Sequence, residues 1–320
     1  MKTPTILINM KRGDGDEVYE YLKKNLLALP SKIIKTDYST EEIDLLIPKA
    51  KLADVIISGQ EVWDEKNLEK IQGKTKLICR MGIGVDNINL TKARELDISV
   101  ANTPGANANA VAEGAVSLML ALCRNISLAD RQMRKGIWNN KTLTTELIGK
   151  TVGVVGYGNI GKKVISLLSG FTKKIVVFDP FITKPAKGQE YVTFTSLDNL
   201  IRQSDFISIH VPSNNQTHHL VNADFLQKMK PTAFLINTSR GSIVDEDQLI
   251  DALKERTIGG AALDVFKTEP LQNSDFLALD NIIITPHMLS ASRESVFKVV
   301  DMLVDNIKVF FEGLPQNIVN

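Results

Sequence analysis

Residues 151–164 read TVGVVGYGNIGKKV, an apolar run that breaks into Gly156-x-Gly158-x-x-Gly161 and resumes with helical spacing. Glycine fills 20 of 320 positions, so chance alone produces this spacing in about one chain in a dozen. Context decides the reading. A strand-like run precedes the glycines and a helical pattern over 160–169 follows. A second apolar run, KIVVFD (174–179), then ends in Asp179. That layout fits a dinucleotide: the first glycine makes the tight turn, the second admits the pyrophosphate close to the backbone, and the third lets helix meet strand. The helix N-terminus adds N–H donors and partial positive charge. Asp179 would accept the adenosine ribose hydroxyls and repel a further phosphate. Behind it, Pro180, Phe181 and Ile182 offer no arginine to receive one. The stretch points to NAD; the competing reading is a glycine-rich turn with a solvated aspartate.

On either side of this unit, short β-branched runs alternate with longer segments of helical period. TILIN (5–9), KIIKT (32–36), DVIIS (54–58), KLICR (76–80) and ISVAN (98–102) come before it. DFISIHV (205–211), AFLINT (233–238), GGAALDV (259–265) and NIIITP (281–286) come after. Amphipathic stretches such as 16–28, 40–51 and 64–71 separate the earlier runs. Strands alternating with helices imply right-handed βαβ units and doubly wound parallel sheets, the α/β class. Two such series imply two domains. Residues 105–124 read as one long helix entered from NTP, and 291–312 as another. The last helix is expected to return onto the N-terminal domain, giving a discontinuous domain of 1–103 plus 291–320 and a second of 104–290.

With 43% hydrophobic residues the chain can bury two ordinary cores. Thirty-eight basic and 37 acidic residues leave a net charge of +1, so no bulk field favours nucleic acid or an anionic membrane. No stretch approaches the roughly 18 apolar residues of a membrane span, and MKTPTILINM has too short an apolar core for a signal peptide. Cys79 and Cys123 stand far apart without companions at metal spacing. A reducing, cytoplasmic setting fits best.

A second glycine pair, in RMGIGVDNI (80–88), lacks the third glycine and carries Asp86 where a phosphate would be repelled. It reads as a backbone nest for a small carboxylate, or as a plain turn. Three polar residues follow successive strands of the second series, where α/β sites form: Arg240 in LINTSRG, Glu269 in ALDVFKTEP and His287 in IIITPH. Arginine offers a rigid charged fork for a carboxylate. Histidine exchanges protons near neutral pH, and a neighbouring carboxylate favours its imidazolium. Singly, each residue has a bland reading as surface cation, loop acid or structural histidine. Jointly, beside a nicotinamide, they suit hydride transfer at a carbon next to a carboxylate. His210 in ISIHVPS reads as partly buried near the adenine side. Adjacent His218 and His219 are poorly spaced for a metal, and none is expected.

Taken in order, LICRMGIGVDNINL, VANTPGANANAVAE, GKTVGVVGYGNIGKKV, HVPSNNQT, LINTSRGSIVDEDQL, GAALDVFKTEP and IITPHMLSAS resemble the D-isomer-specific 2-hydroxyacid dehydrogenases, in their phosphoglycerate-dehydrogenase-like branch. The resemblance implies a Rossmann NAD-binding domain inserted into a flavodoxin-like substrate domain, with Arg240, Glu269 and His287 catalytic. It implies NAD contacts at Gly156, Tyr157, Gly158, Asn159, Ile160, Gly161, Asp179, Val211, Pro212, Thr217, Thr238, Ser239, Arg240, Asp264, His287 and Ser290. The substrate would meet Met81, Gly82, Ile83, Gly84, Arg240 and His287. A homodimer through the 105–150 region is also implied. Three departures stand out. Leu289 replaces a glycine common in the family. Ser58, Gly59 and Gln60 replace a loop that often holds an arginine. Asn139 and Asn140 follow Trp138 where a basic residue is usual, leaving Lys141 or Arg80 as substitutes. The alternative is an NAD(H)-sensing corepressor-like binding protein on the same fold, and a third option is formate or phosphite oxidation.

Overall fold

The computed structural model describes residues 3–10, 16–38, 42–138, 143–272 and 274–320. They fall into two compact units, 1–107 with 291–320 and 108–290. Unit 1 opens with five strands, β1 (Thr5–Asn9), β2 (Lys32–Thr36), β3 (Val55–Ser58), β4 (Leu77–Arg80) and β5 (Ser99–Ala101). Between them lie helices α1 (Asp16–Leu27), α2 (Ile43–Ala50), α3 (Glu65–Ile71) and α4 (Leu90–Glu95). The sheet is parallel in the order β2-β1-β3-β4-β5, the flavodoxin-like arrangement. Its central strands are apolar on both faces because helices cover both.

Unit 2 begins with α5 (Ala108–Cys123) and α6 (Ile126–Arg134), then β6 (Val152–Val155), α7 (Asn159–Leu168), β7 (Ile175–Phe178) and β8 (Val192–Phe194). It continues with α8 (Leu197–Gln203), β9 (Phe206–Ile209), α9 (Ala223–Lys228), β10 (Phe234–Asn237), α10 (Glu246–Lys254), β11 (Gly260–Leu263) and β12 (Ile282–Ile284). The parallel order β12-β11-β10-β9-β6-β7-β8 reverses direction at β6, as in a Rossmann sheet. One face carries Val155, Ile207, Leu235 and Leu263 against α8, α9 and α10. The other carries Val154, Phe206, Ile236 and Ala262 against α5 and α7. The chain then returns to unit 1 as α11 (Arg293–Phe311), whose Val299, Val300, Leu303 and Ile307 share a core with Ile6, Leu22 and Cys79. Short polar side chains start most helices: Asp64, Asn89, Ser196, Asn222, Asp245 and Ser292 each accept a first-turn amide.

Two elements differ from the sequence reading. The helix expected from 105 starts at Ala108 because Gly105, at φ 76°, closes a turn first. It ends at Cys123, and left-handed Asn125 turns the chain by 65° into α6. Strand β8 was not anticipated. Only Val192 of its three residues is buried, so it lacks the apolar run that marks the inner strands.

Candidate active site

The dinucleotide loop leaves β6 at Val155 and enters α7 at Asn159. Gly156 sits at φ 100°, and a Cβ there would stand 2.8 Å from the His210 carbonyl. A Cβ on Gly161 would meet the Gly156 oxygen at 2.1 Å, so only glycine lets α7 approach the loop. A Cβ on Gly158 would meet nothing within 4 Å, so the loop is open on that side. Asn159 and Ile160 form that helix's first turn. Asp179 ends β7 with both oxygens anchored: Oδ2 accepts the Tyr157 amide at 2.8 Å, and Oδ1 accepts those of Phe181 and Ile182. The Tyr157 ring is fully buried, with its hydroxyl donating to Gln189 Oε1 at 2.5 Å. Tyr157 therefore faces the loop only through its backbone.

Further along the same sheet edge, Val211 and Thr238 are buried, and Pro212 is exposed. Thr217 donates its hydroxyl to the Pro212 carbonyl at 2.6 Å, shaping the turn after β9. The Ser239 hydroxyl donates to the Val211 carbonyl. His210 Nδ1 and Thr238 Oγ1, beyond the ends of neighbouring strands, are buried without a hydrogen-bond partner among the described residues. His210 keeps some exposed surface, but its ring nitrogens are enclosed and Nε2 meets Ser208 Oγ at 2.8 Å. Burial holds its pKa down at about 4. An open glycine cradle, an anchored acid and two orphaned polar atoms along one sheet edge fit a dinucleotide.

The three strand-end candidates belong to adjacent strands β10, β11 and β12. Asn237, wholly buried, accepts the Ser239 amide and donates to the Arg240 carbonyl at 2.9 Å, fixing the backbone of Arg240. Gly241 then passes so close to the next loop that a Cβ would lie 1.9 Å from the Phe266 carbonyl carbon. That loop supplies Glu269, whose Oε1 accepts the Phe266 amide at 3.0 Å. Glu269 Oε2 accepts from His287 Nδ1 at 2.7 Å, leaving Nε2 as the other ring nitrogen. The pair is 34% and 30% exposed, open enough to meet a ligand. Burial works to raise the Glu269 carboxyl, but bonds from His287 and the Phe266 amide, with the charges of His287 and Arg240, outweigh it and hold it below its ordinary value. His287 itself is left-handed, at φ 51°.

Asp264 was read as a cofactor contact; it is 2% exposed and its carboxylate accepts Thr285 Oγ1 and the Met288 and Leu289 amides. It therefore shapes the turn that carries His287, while Ser290 at the end of that turn is half-exposed. Sequence reasoning missed Asn237 and Gly241. Their signal, polar Asn closing a strand and Gly beside Arg, acquires meaning only once β11 is known to be the neighbour.

In unit 1, the Met81–Gly84 turn follows β4. Met81 N donates to Ser58 O and Gly82 N to Arg80 O. The nest is narrower than its sequence suggests. Arg80 Nη1 donates to the Met81 carbonyl at 2.7 Å. Under the Ser58–Gln60 loop lies Glu61, 3% exposed, accepting Asn9 Nδ2 at 2.6 Å and Ser58 Oγ at 3.0 Å. Asn139, Asn140 and Lys141 lie outside the described residues. His218 and His219 stack at 4.0 Å, and no group of three metal-binding side chains occurs among the described residues.

Fold and site together define a two-unit α/β protein of the dinucleotide-binding class. Residues 116–288 match the model for the D-isomer specific 2-hydroxyacid dehydrogenase, NAD binding domain. A hydroxypyruvate reductase of Thermotoga maritima is 40% identical over 305 residues, 93% of this chain and 92% of that protein. The D-3-phosphoglycerate dehydrogenase of Synechocystis sp. is 38% identical over 88% of this chain, and the chain spans about half (50%) of its length. A solved D-2-hydroxyisocaproate dehydrogenase superposes with a TM-score of 0.84 at 27% identity, covering 98% of this chain and 99% of that one. The chain belongs to the D-isomer specific 2-hydroxyacid dehydrogenase family, and NAD is the cofactor of its inserted domain. These relatives are reductases and dehydrogenases, and nothing in them supports the corepressor alternative.

Proposed function

We propose that the protein is an NAD-dependent oxidoreductase that interconverts a D-2-hydroxy acid and its 2-keto acid, of the 3-phosphoglycerate, hydroxypyruvate or glyoxylate type. The observation that carries this reading is the 2.7 Å pair of His287 Nδ1 and Glu269 Oε2 at adjoining strand ends, with the Arg240 charge acting on the same carboxylate. NAD, when bound, takes or supplies the hydride at its nicotinamide. In the reducing direction His287 Nε2 donates a proton to the C2 oxygen as negative charge builds there. Glu269 orients the ring through Nδ1. Arg240 holds the substrate carboxylate and polarises the neighbouring carbonyl, without any proton of its own to lose. The Met81–Gly84 turn is assigned to a small carboxylate. The Gly156–Gly161 loop and the start of α7 take the pyrophosphate, and Asp179 the adenosine ribose.

Two further assignments belong to this reading. The chain pairs as a homodimer through the 105–150 region: α6 buries none of its residues, and Ile126, Met133, Ile137, Trp138 and Leu143 are exposed. It works in the cytoplasm, where the buried free thiols Cys79 and Cys123 stay reduced.

The test is NADH oxidation by purified protein against 3-phosphohydroxypyruvate, hydroxypyruvate, glyoxylate, pyruvate and bulkier 2-keto acids. Turnover that prefers one member supports the reading and names the side chain that the pocket accepts. Tight NADH binding with no turnover on any member would overturn it.

A further inference from the structure

The turn from Thr285 to Ser290 places His287, and its conformation is unfavourable for a residue with a Cβ. Something must hold it. On the polar side, Asp264 grips Thr285, Met288 and Leu289 as described above. On the apolar side, Leu289 leaves the turn and packs into the cluster built on α5. There it meets Gly114. A Cβ at that position would stand 2.8 Å from Leu289 Cδ2 and 2.9 Å from both Leu289 Cβ and Cδ1. Three atoms of one side chain, the Cβ included, fill the space that a side chain at 114 would need. No rotation about χ1 removes a clash with Cβ itself.

We propose that Gly114 and Leu289 form a positioning pair, in which the empty site on α5 receives Leu289 and so locks the turn that aims His287 at Glu269. Leu289 finds its room in the missing side chain of Gly114. The role in catalysis rests on the function proposed above; the placement of the His287 ring does not.

Gly114→Ala forces the turn away from α5. An ångström of misplacement at a reacting group costs up to about a hundredfold in rate, so kcat should fall by about tenfold to a hundredfold with KM for NADH little changed. Leu289→Ala keeps the backbone bonds to Asp264 and should lose only a few-fold. The double variant Gly114→Ala/Leu289→Gly should return to the rate of Leu289→Gly alone, because the Cβ that the new alanine meets is gone. Leu289→Phe presses the same contact from the other side and should slow turnover even if Gly114→Ala fails to fold. The ring protons of His287, one of only four histidines, give a readout without cofactor or substrate. Their NMR resonance should move in Gly114→Ala and return in the double variant. Unchanged His287 resonances in a folded Gly114→Ala, or a double variant no better than Gly114→Ala, would overturn the pairing. A wild-type protein that turns over no keto acid, yet shows the displaced and restored resonances, would sink the proposed function and leave the pairing standing.

Discussion

His287 is an ordinary residue in an unusual place: left-handed, hydrogen-bonded through Nδ1, and held by a turn that Asp264 and Leu289 define from two sides. General acid–base groups contribute about 10²–10⁴-fold, so His287→Ala should lower kcat by about that factor while the NADH dissociation constant, read by fluorescence titration, stays near wild type. Unaltered turnover would remove His287 from the chemistry. Glu269 is held below its ordinary value of 4.5, so it stays ionised through the mildly acid range and loses its stabilising contribution only as pH falls through that lowered value. Asp179→Ala should weaken NADH and relax its preference over NADPH. A selectivity ratio that does not move would show that the acid's role is confined to capping the amides of Tyr157, Phe181 and Ile182.

At the scale of elements, the inner strands were legible because parallel strands covered on both faces read as unbroken apolar runs. VGVV of β6 and FISI of β9 are buried at every position. The edge strand β8, with Thr193 exposed, carries no such signal. The start of α5 was misplaced by three residues because 105–107 continue the small-residue pattern of the helix while Gly105 turns the backbone. Arg240, Glu269 and His287 were legible as polar residues following strands. Their supports were not: Asn237 ties its own loop through bonds to Ser239 and Arg240 that no periodicity marks, and Gly241 passes the loop after β11, a relation that exists only in the folded sheet. Gly241→Ala tests this. Its Cβ would collide with the Phe266 backbone, so the substitution should cost about 1–3 kcal/mol in denaturant unfolding and depress kcat by displacing Arg240 and Glu269 together. Wild-type stability would mean that the two loops can part without loss.

For the molecule as a whole, two consequences are measurable. His210 has a folded-state pKa of about 4 against an ordinary 6.5. The unfolded chain binds the proton first, so this residue stabilises the fold above pH 6.5 and its contribution is lost as pH falls toward 4. His210→Asn should flatten the stability decline across that window, and an identical decline would assign it to other groups. The exposed apolar side chains of α6 and the segment after it should be covered in solution. Met133→Glu combined with Trp138→Glu is expected to shift sedimentation from dimer to monomer, and a wild-type protein that sediments as a monomer refutes the pairing. By itself the sequence determined the α/β class, the glycine loop with Asp179, and the candidates Arg240, Glu269 and His287 after successive strands. Those follow from local periodicity and from side-chain chemistry at strand ends, which are written in consecutive residues. Only the tertiary structure decided that Tyr157 is core, that Asp264 shapes a turn, and where Leu289 goes. Each of these depends on what a distant segment brings within a few ångströms, and no spacing along the chain records that.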